Sequence, residues 1–183
     1  MEIKDNFLVK KDLTQLENLI YNNFPWYLNK EQVTGADDGC WLSHILYDED
    51  VPKSDLYNPI IKIFKGYLKY VTLCRLNVNL LLRKETPSVS DFHTDCDWDF
   101  KDEKKLTTAI FYLNTNNGAT EFEDGNRIDS VKNRLIVFPA NASHRAIGQT
   151  DEAKRIVFNF NFISSENVTI WQVEKDTMPT VYI

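Results

Sequence analysis

An antiparallel β-sandwich or barrel preceded by two helices is the fold class this sequence predicts: mainly β, with supporting α. Three observations predict it. Between Tyr70 and Ile163 lie five short β-rich runs, "YVTLCRLNVNLLL", "LTTAIFYLN", "ATEFED", "NRLIVFPA" and "RIVFNFNFI". Turn chemistry such as "NTNNG" and "EDGN" separates them, with no alternating helices between. Before Tyr70, by contrast, apolar residues recur at helical spacing. Short strands in this order suit a sandwich or barrel better than a parallel α/β sheet.

Each element has its own warrant. Asp12, with Gln15 three residues on, has the pattern of a capping box for a first helix. Leu13, Leu16, Leu19 and Ile20 then recur along one face until "FPWY" breaks the pattern. A second helix is expected after Ser54, with Leu56, Ile60, Phe64, Tyr67 and Leu68 on one face and Pro59 early enough to be tolerated. In the first strand, alternation puts Arg75, Asn77 and Asn79 on one face and Cys74, Leu76, Val78 and Leu80 on the other.

The last strand is divided more sharply. Ile156, Phe158, Phe160 and Phe162 form an apolar face; Arg155, Val157, Asn159 and Asn161 form a mostly polar one. Either the phenylalanines fill a dry barrel and Arg155 points outward, or the helices cover the phenylalanines and Arg155, Asn159 and Asn161 line a wet cavity. At this level both arrangements stay open.

The chain of 183 residues is expected to be one domain, with 1–69 as helical support and 70–183 as the strand core. Hydrophobic content of 43% and aromatic content of 13% argue for an ordered globular protein. A net charge of −6 argues against a nucleic-acid surface, which needs a basic patch. No run approaches the ~20 apolar residues of a membrane helix. The N-terminal "MEIKDNFLVKKDLTQ" lacks the apolar region of a signal peptide. Cys40, Cys74 and Cys96 form no C-x-x-C pair, which favours free thiols. A cytoplasmic location is expected.

The chemistry concentrates in "DFHTDCDWDF" (91–100). A calcium loop starting at Asp95 would place acids at Asp95, Asp97 and Asp99. It would then need Gly and Glu where Phe100 and Leu106 stand, so that reading fails. A transition-metal site is the second reading. His93 and Asp95, two apart, point the same way in extended backbone and can converge on one ion. His144, after "RLIVF" and a Pro-Ala turn, supplies a third ligand, and two histidines with one carboxylate leave positions open, as in non-haem Fe(II) sites. A three-histidine zinc site would have to use His44, which in "CWLSHILY" reads better as a structural histidine.

Taken in order, "HTD" (93–95), "TTAIFYLN" (107–114), "NGATEFEDG" (117–125), "NRLIVFPANASH" (133–144) and "KRIVFNFNF" (154–162) resemble the 2-oxoglutarate/Fe(II)-dependent dioxygenases, in particular their prolyl-4-hydroxylase-like branch. The resemblance covers roughly the C-terminal half. It implies a double-stranded β-helix (a cupin-like jelly roll) with the N-terminal helices packed on one sheet. It assigns His93, Asp95 and His144 to Fe(II), and Arg155 to the far carboxylate of 2-oxoglutarate, helped by Tyr112. Asn79 and Asn159 are its further co-substrate candidates, with Asn77 behind them.

The implied activity couples oxidative decarboxylation of 2-oxoglutarate by O2, giving succinate and CO2, to hydroxylation of a C–H bond, with ascorbate as a stimulant. The substrate implied is a peptidyl proline, an amino acid or another small molecule. The resemblance favours the wet cavity. The alternatives are a non-catalytic cupin-like module and, further off, a metal-dependent hydrolase. Asp97, Trp98 and Asp99 are candidates for the cavity mouth or a solvated turn. Arg145 faces substrate or solvent, and Cys96 is a small neighbour or an oxidation target. The C-terminal "WQVEKDTMPTVYI" is an edge strand or a homodimer contact.

Overall fold

Alternation in the last strand sets how the layers stack. In the computed structural model, which describes residues 1–29, 41–95 and 106–164, this segment forms β11 (Lys154–Ile163) in the middle of a large antiparallel sheet. On one side it pairs with β5 (Thr72–Leu82), followed by β3 (Trp41–Asp48) and β2 (Tyr27–Asn29). On the other it pairs with β6 (Leu106–Tyr112), then β9 (Arg134–Pro139) and β1 (Glu2–Lys4). The short β4 (Val51–Pro52) hooks onto β3. A second sheet has β7 (Ala119–Phe122) between β10 (His144–Ile147) and β8 (Arg127–Asp129). One large and one small antiparallel sheet make the expected jelly roll.

The two helices are α1 (Lys10–Tyr21) and α2 (Tyr57–Phe64). They cover the outer face of the large sheet, and the wet-cavity arrangement is the one adopted. Phe158, Phe160 and Phe162 are fully buried in the helix-side core. Phe64 of α2 sits 4.7 Å from the Phe160 ring and 5.4 Å from Phe111. Lys154, on the same face as the phenylalanines, lies over the Tyr21 ring at the end of α1. Among the described residues no helix is long and apolar enough to cross a membrane.

Several expectations change. Residues 1–69 are not purely helical support, because β1, β2, β3 and β4 all belong to the large sheet. "WLSHILYD" shows no clean alternation since both of its faces are partly covered, which hides a strand from pattern reading. Asp12 does not cap α1. Val9 occupies that position, and Asp12 in the first turn instead accepts a 2.5 Å hydrogen bond from the Tyr67 hydroxyl. Cys74 leaves the face of Leu76 and Val78. The register shifts between Asn161 and Phe162, and Cys74 joins Leu106 and Ala140 in a separate small cluster. This is the local effect of a bulge. The "EDGN" turn is where it was expected, with Gly125 at φ +88° between β7 and β8.

Candidate functional site

His93 and His144 meet across an isolated antiparallel bridge. The amide of each donates to the carbonyl of the other at 2.9 Å, bringing the ring centroids to 4.7 Å. The Asp95 amide donates to the Ala140 carbonyl at 3.1 Å, so its carboxylate turns to the same side as His93. One ligand atom from each of His93, Asp95 and His144 lies within 4.8 Å of the others. His144 Nε2 is 3.8 Å from Asp95 Oδ2.

Both imidazoles are oriented for metal. His144 Nδ1 donates to the Ala142 carbonyl at 2.9 Å and His93 Nδ1 to the Asp91 carbonyl at 3.1 Å. A carbonyl only accepts, so the hydrogen sits on Nδ1 and Nε2 of the neutral ring keeps its lone pair. Burial also pushes the His144 pKa below its ordinary 6.5, with the Asp95 charge opposing. The neutral, ligating form is therefore favoured. Phe138 packs on the His144 ring at 4.9 Å and limits its rotation.

Three side chains from the large sheet fix the Asp95 carboxylate. Thr108 Oγ1 donates to Oδ2 at 2.8 Å, Asn161 Nδ2 to Oδ2 at 3.2 Å, and Asn159 Nδ2 lies 3.4 Å from both oxygens. Asn161 also donates to Thr108 Oγ1 at 3.0 Å, across the rung where β11 and β6 pair. Neither Thr108 nor Asn161 stood out as a site residue in the sequence. Alternation put Asn161 on the face of Arg155 and Asn159, but nothing local pointed either residue at Asp95. Asn159, expected near the co-substrate, contacts Asp95.

Arg155 projects from the same face of β11 and is only 2% exposed. Its Nε donates to Ser130 Oγ at 2.7 Å. Nη2 reaches the Ala119 carbonyl at 3.2 Å and Thr120 Oγ1 at 3.4 Å. Tyr112, also fully buried, donates to Thr120 Oγ1 at 2.8 Å, and its ring centroid is 5.6 Å from the guanidinium carbon. Among the described residues no carboxylate pairs with Arg155. Burial lowers its pKa and raises that of Tyr112. Gly118 makes the fit possible: a Cβ there would lie 2.8 Å from Arg155 Cδ. Buried cations almost always have an anionic partner, so this cradle fits an added carboxylate.

The remaining candidates separate clearly. Asn79 is buried on the inner face, where its Oδ1 accepts the Asn77 amide at 2.9 Å. Arg145 points away and pairs with Glu121 at 2.5 Å. His44 is structural, its Nδ1 donating to the Pro25 carbonyl at 2.8 Å. A cleft of about 880 Å³, lined by Tyr27, Ser43, Ile45, Lys53 and Asp55 among others, contains none of the metal-group residues. Cys40, Cys96, Asp97, Trp98, Asp99 and the C-terminal "WQVEKDTMPTVYI" lie outside the described residues.

The chain has the fold of the prolyl-4-hydroxylase-like 2-oxoglutarate/Fe(II) oxygenases. It is similar to the viral collagen prolyl hydroxylase of Paramecium bursaria chlorella virus-1, solved as a 2-oxoglutarate complex. There the TM-score is 0.52 at 16% identity, over 90% of this chain and 96% of that one. A prolyl hydroxylase of Trichoplax adhaerens, solved with a peptide fragment of hypoxia inducible factor, gives 0.54 at 14% identity over 88% and 83%. The α-ketoglutarate-dependent epimerase SnoN of nogalamycin biosynthesis gives 0.59 at 13% identity over 88% and 75%. No protein-family model and no curated protein sequence matches this chain.

Proposed function

We propose that this chain is a 2-oxoglutarate- and Fe(II)-dependent dioxygenase, with residues 1–183 acting as one domain. In this reading His93, Asp95 and His144 hold Fe(II), and Arg155 and Tyr112 hold the far carboxylate of 2-oxoglutarate. Once bound, Fe(II) and 2-oxoglutarate supply, with O2, oxidative decarboxylation to succinate and CO2 coupled to hydroxylation of a C–H bond.

The protein's own work is to bind and orient. Backbone carbonyls set the imidazole tautomers, Thr108, Asn159 and Asn161 hold the Asp95 carboxylate, and the apolar walls around Tyr112 exclude water. The Arg155 fork suits a carboxylate gripped by two parallel hydrogen bonds. In this reading Asn79, paired with Val157 between Arg155 and Asn159, is a further contact for 2-oxoglutarate.

The observation that carries the reading is the buried, acid-free Arg155 on the same strand face as the residues that hold Asp95. The fold supports it, since one protein sharing that fold is solved with 2-oxoglutarate. Peptide and small-molecule chemistry both occur among the similar structures, so the substrate is a peptidyl proline, an amino acid or another small metabolite. The test is succinate release by the purified protein with Fe(II), ascorbate and 2-oxoglutarate. Slow release is expected even without substrate. Absence of both succinate and metal-dependent 2-oxoglutarate binding would overturn the proposal.

A further inference from the structure

Among the described residues four buried side-chain polar atoms lack a hydrogen-bond partner: Arg75 Nε, Asn77 Oδ1, Asn159 Oδ1 and Gln149 Oε1. Three of them share one patch of the inner face, where Asn77 stands opposite Asn159 and Arg75 opposite Asn161. Buried polar groups in folded proteins nearly always find partners, so a cluster that does not is unusual.

The orientation of the Asn159 amide is set from its other end. Asn159 Nδ2 faces the Asp95 carboxylate, which only accepts, so its Oδ1 must turn away. Asn77 Nδ2 donates to Asn79 Oδ1, which leaves Asn77 Oδ1 toward the same patch. Arg75 brings a guanidinium without an acidic partner among the described residues. The patch thus combines one cationic donor with two unpaired acceptors.

2-Oxoglutarate does not explain this combination. It carries no N–H and cannot satisfy Asn77 or Asn159, and the Arg155 cradle already supplies a complement to its carboxylate. A ligand matching the patch needs an anion for Arg75 and, beside it, N–H donors for two oxygens. An α-amino acid has that arrangement. Asn159 joins the patch to Asp95, so a molecule held there sits next to the metal group.

We propose that Arg75, Asn77 and Asn159 form the substrate subsite and that it takes a free α-amino acid, with the carboxylate on Arg75 and the ammonium on the two amide oxygens. The proposal rests on the dioxygenase reading above and deepens it by naming the substrate class.

The experiment is calorimetric titration of the full chain loaded with Mn(II) and 2-oxoglutarate, where no turnover occurs. Each proteinogenic L-amino acid is added in turn, and the tightest binder is then retested as its methyl ester and its N-acetyl form. At least one amino acid should bind saturably, and both blocked forms should bind at least ~10-fold more weakly. Arg75→Met should weaken the amino acid at least ~10-fold while 2-oxoglutarate still binds. Asn77→Leu, which keeps the volume and removes one acceptor, should weaken the free acid but not the N-acetyl form. If 2-oxoglutarate binds and no amino acid does, or if the blocked forms or Arg75→Met bind equally well, the subsite assignment is wrong while the dioxygenase reading stands. If 2-oxoglutarate shows no metal-dependent binding, both fall.

Discussion

The two faces of β11 follow opposite rules although their residues alternate in the chain. Outward, Phe158, Phe160 and Phe162 are fully buried, the first two against Phe64 of α2 and the third beside Tyr70. Inward, Arg155 is as deeply buried but meets only neutral groups, and Asn159 and Asn161 spend their amides on Asp95. The outer face lowers the free energy of folding through apolar area and close packing. The inner face tolerates an unneutralised cation and unmet polar atoms, which oppose folding. Strand pairing, the outer core and the apolar cluster of Val157, Ile110 and Tyr112 hold the inner face in place; its unmet polar atoms do not.

That contrast yields ordered tests. The largest stability effect belongs outside: Phe160→Ala should destabilise the protein by about 3–5 kcal/mol, read by urea denaturation. On the inner face, Arg155→Met should leave stability unchanged or raise it, because a buried charge without a partner is removed. The same variant should weaken 2-oxoglutarate binding ~10–100-fold while metal binding persists. A stability loss matching that of Phe160→Ala would abolish the distinction between the faces.

A smaller effect is expected at Thr108. Thr108→Val keeps the shape but removes a donor to Asp95, and metal affinity should fall ~10-fold, measured by Mn(II) titration. Unchanged affinity would mean that the Asn159 and Asn161 amides suffice to hold the carboxylate.

The smallest effect lies where α1 meets the segment after α2. Tyr67→Phe, which breaks the bond to Asp12, should cost about 1 kcal/mol. The Tyr67 pKa is pushed up to about 12, by burial first and then by its bond to Asp12. A raised tyrosine pKa favours the neutral, folded form. Its contribution is full below the ordinary value of 10.0 and lost as pH rises from there to about 12. In alkaline absorbance titration, Tyr67→Phe should lose one tyrosine step near pH 12 that the unchanged chain shows.

Legibility in the sequence tracked locality. The strands β5, β6, β7, β9 and β11 were readable from alternation and turn residues, and α1 and α2 from their periodicity. β3 was not, because partial cover on both faces removed its pattern. His93 and Asp95 announced themselves as a pair two residues apart. His144 and Arg155 gained meaning from the order of motifs in a resembling family. Thr108, Ser130, Thr120 and Gly118 carried no local signal, since each matters only through a partner on a different strand.

By itself the sequence determined which residues share a face, because side-chain direction along a strand is a property of the backbone alone. It therefore determined that Arg155, Asn159 and Asn161 share one face of the strand and the phenylalanines the other. Only the tertiary structure decided which of those faces is the cavity, because that depends on which side the helices cover. It alone brought Asp95 to Thr108 and Asn161, and it left Arg75, Asn77 and Asn159 with unspent hydrogen bonds. Ladder register sets those meetings, and register is fixed by the packing of the whole sheet.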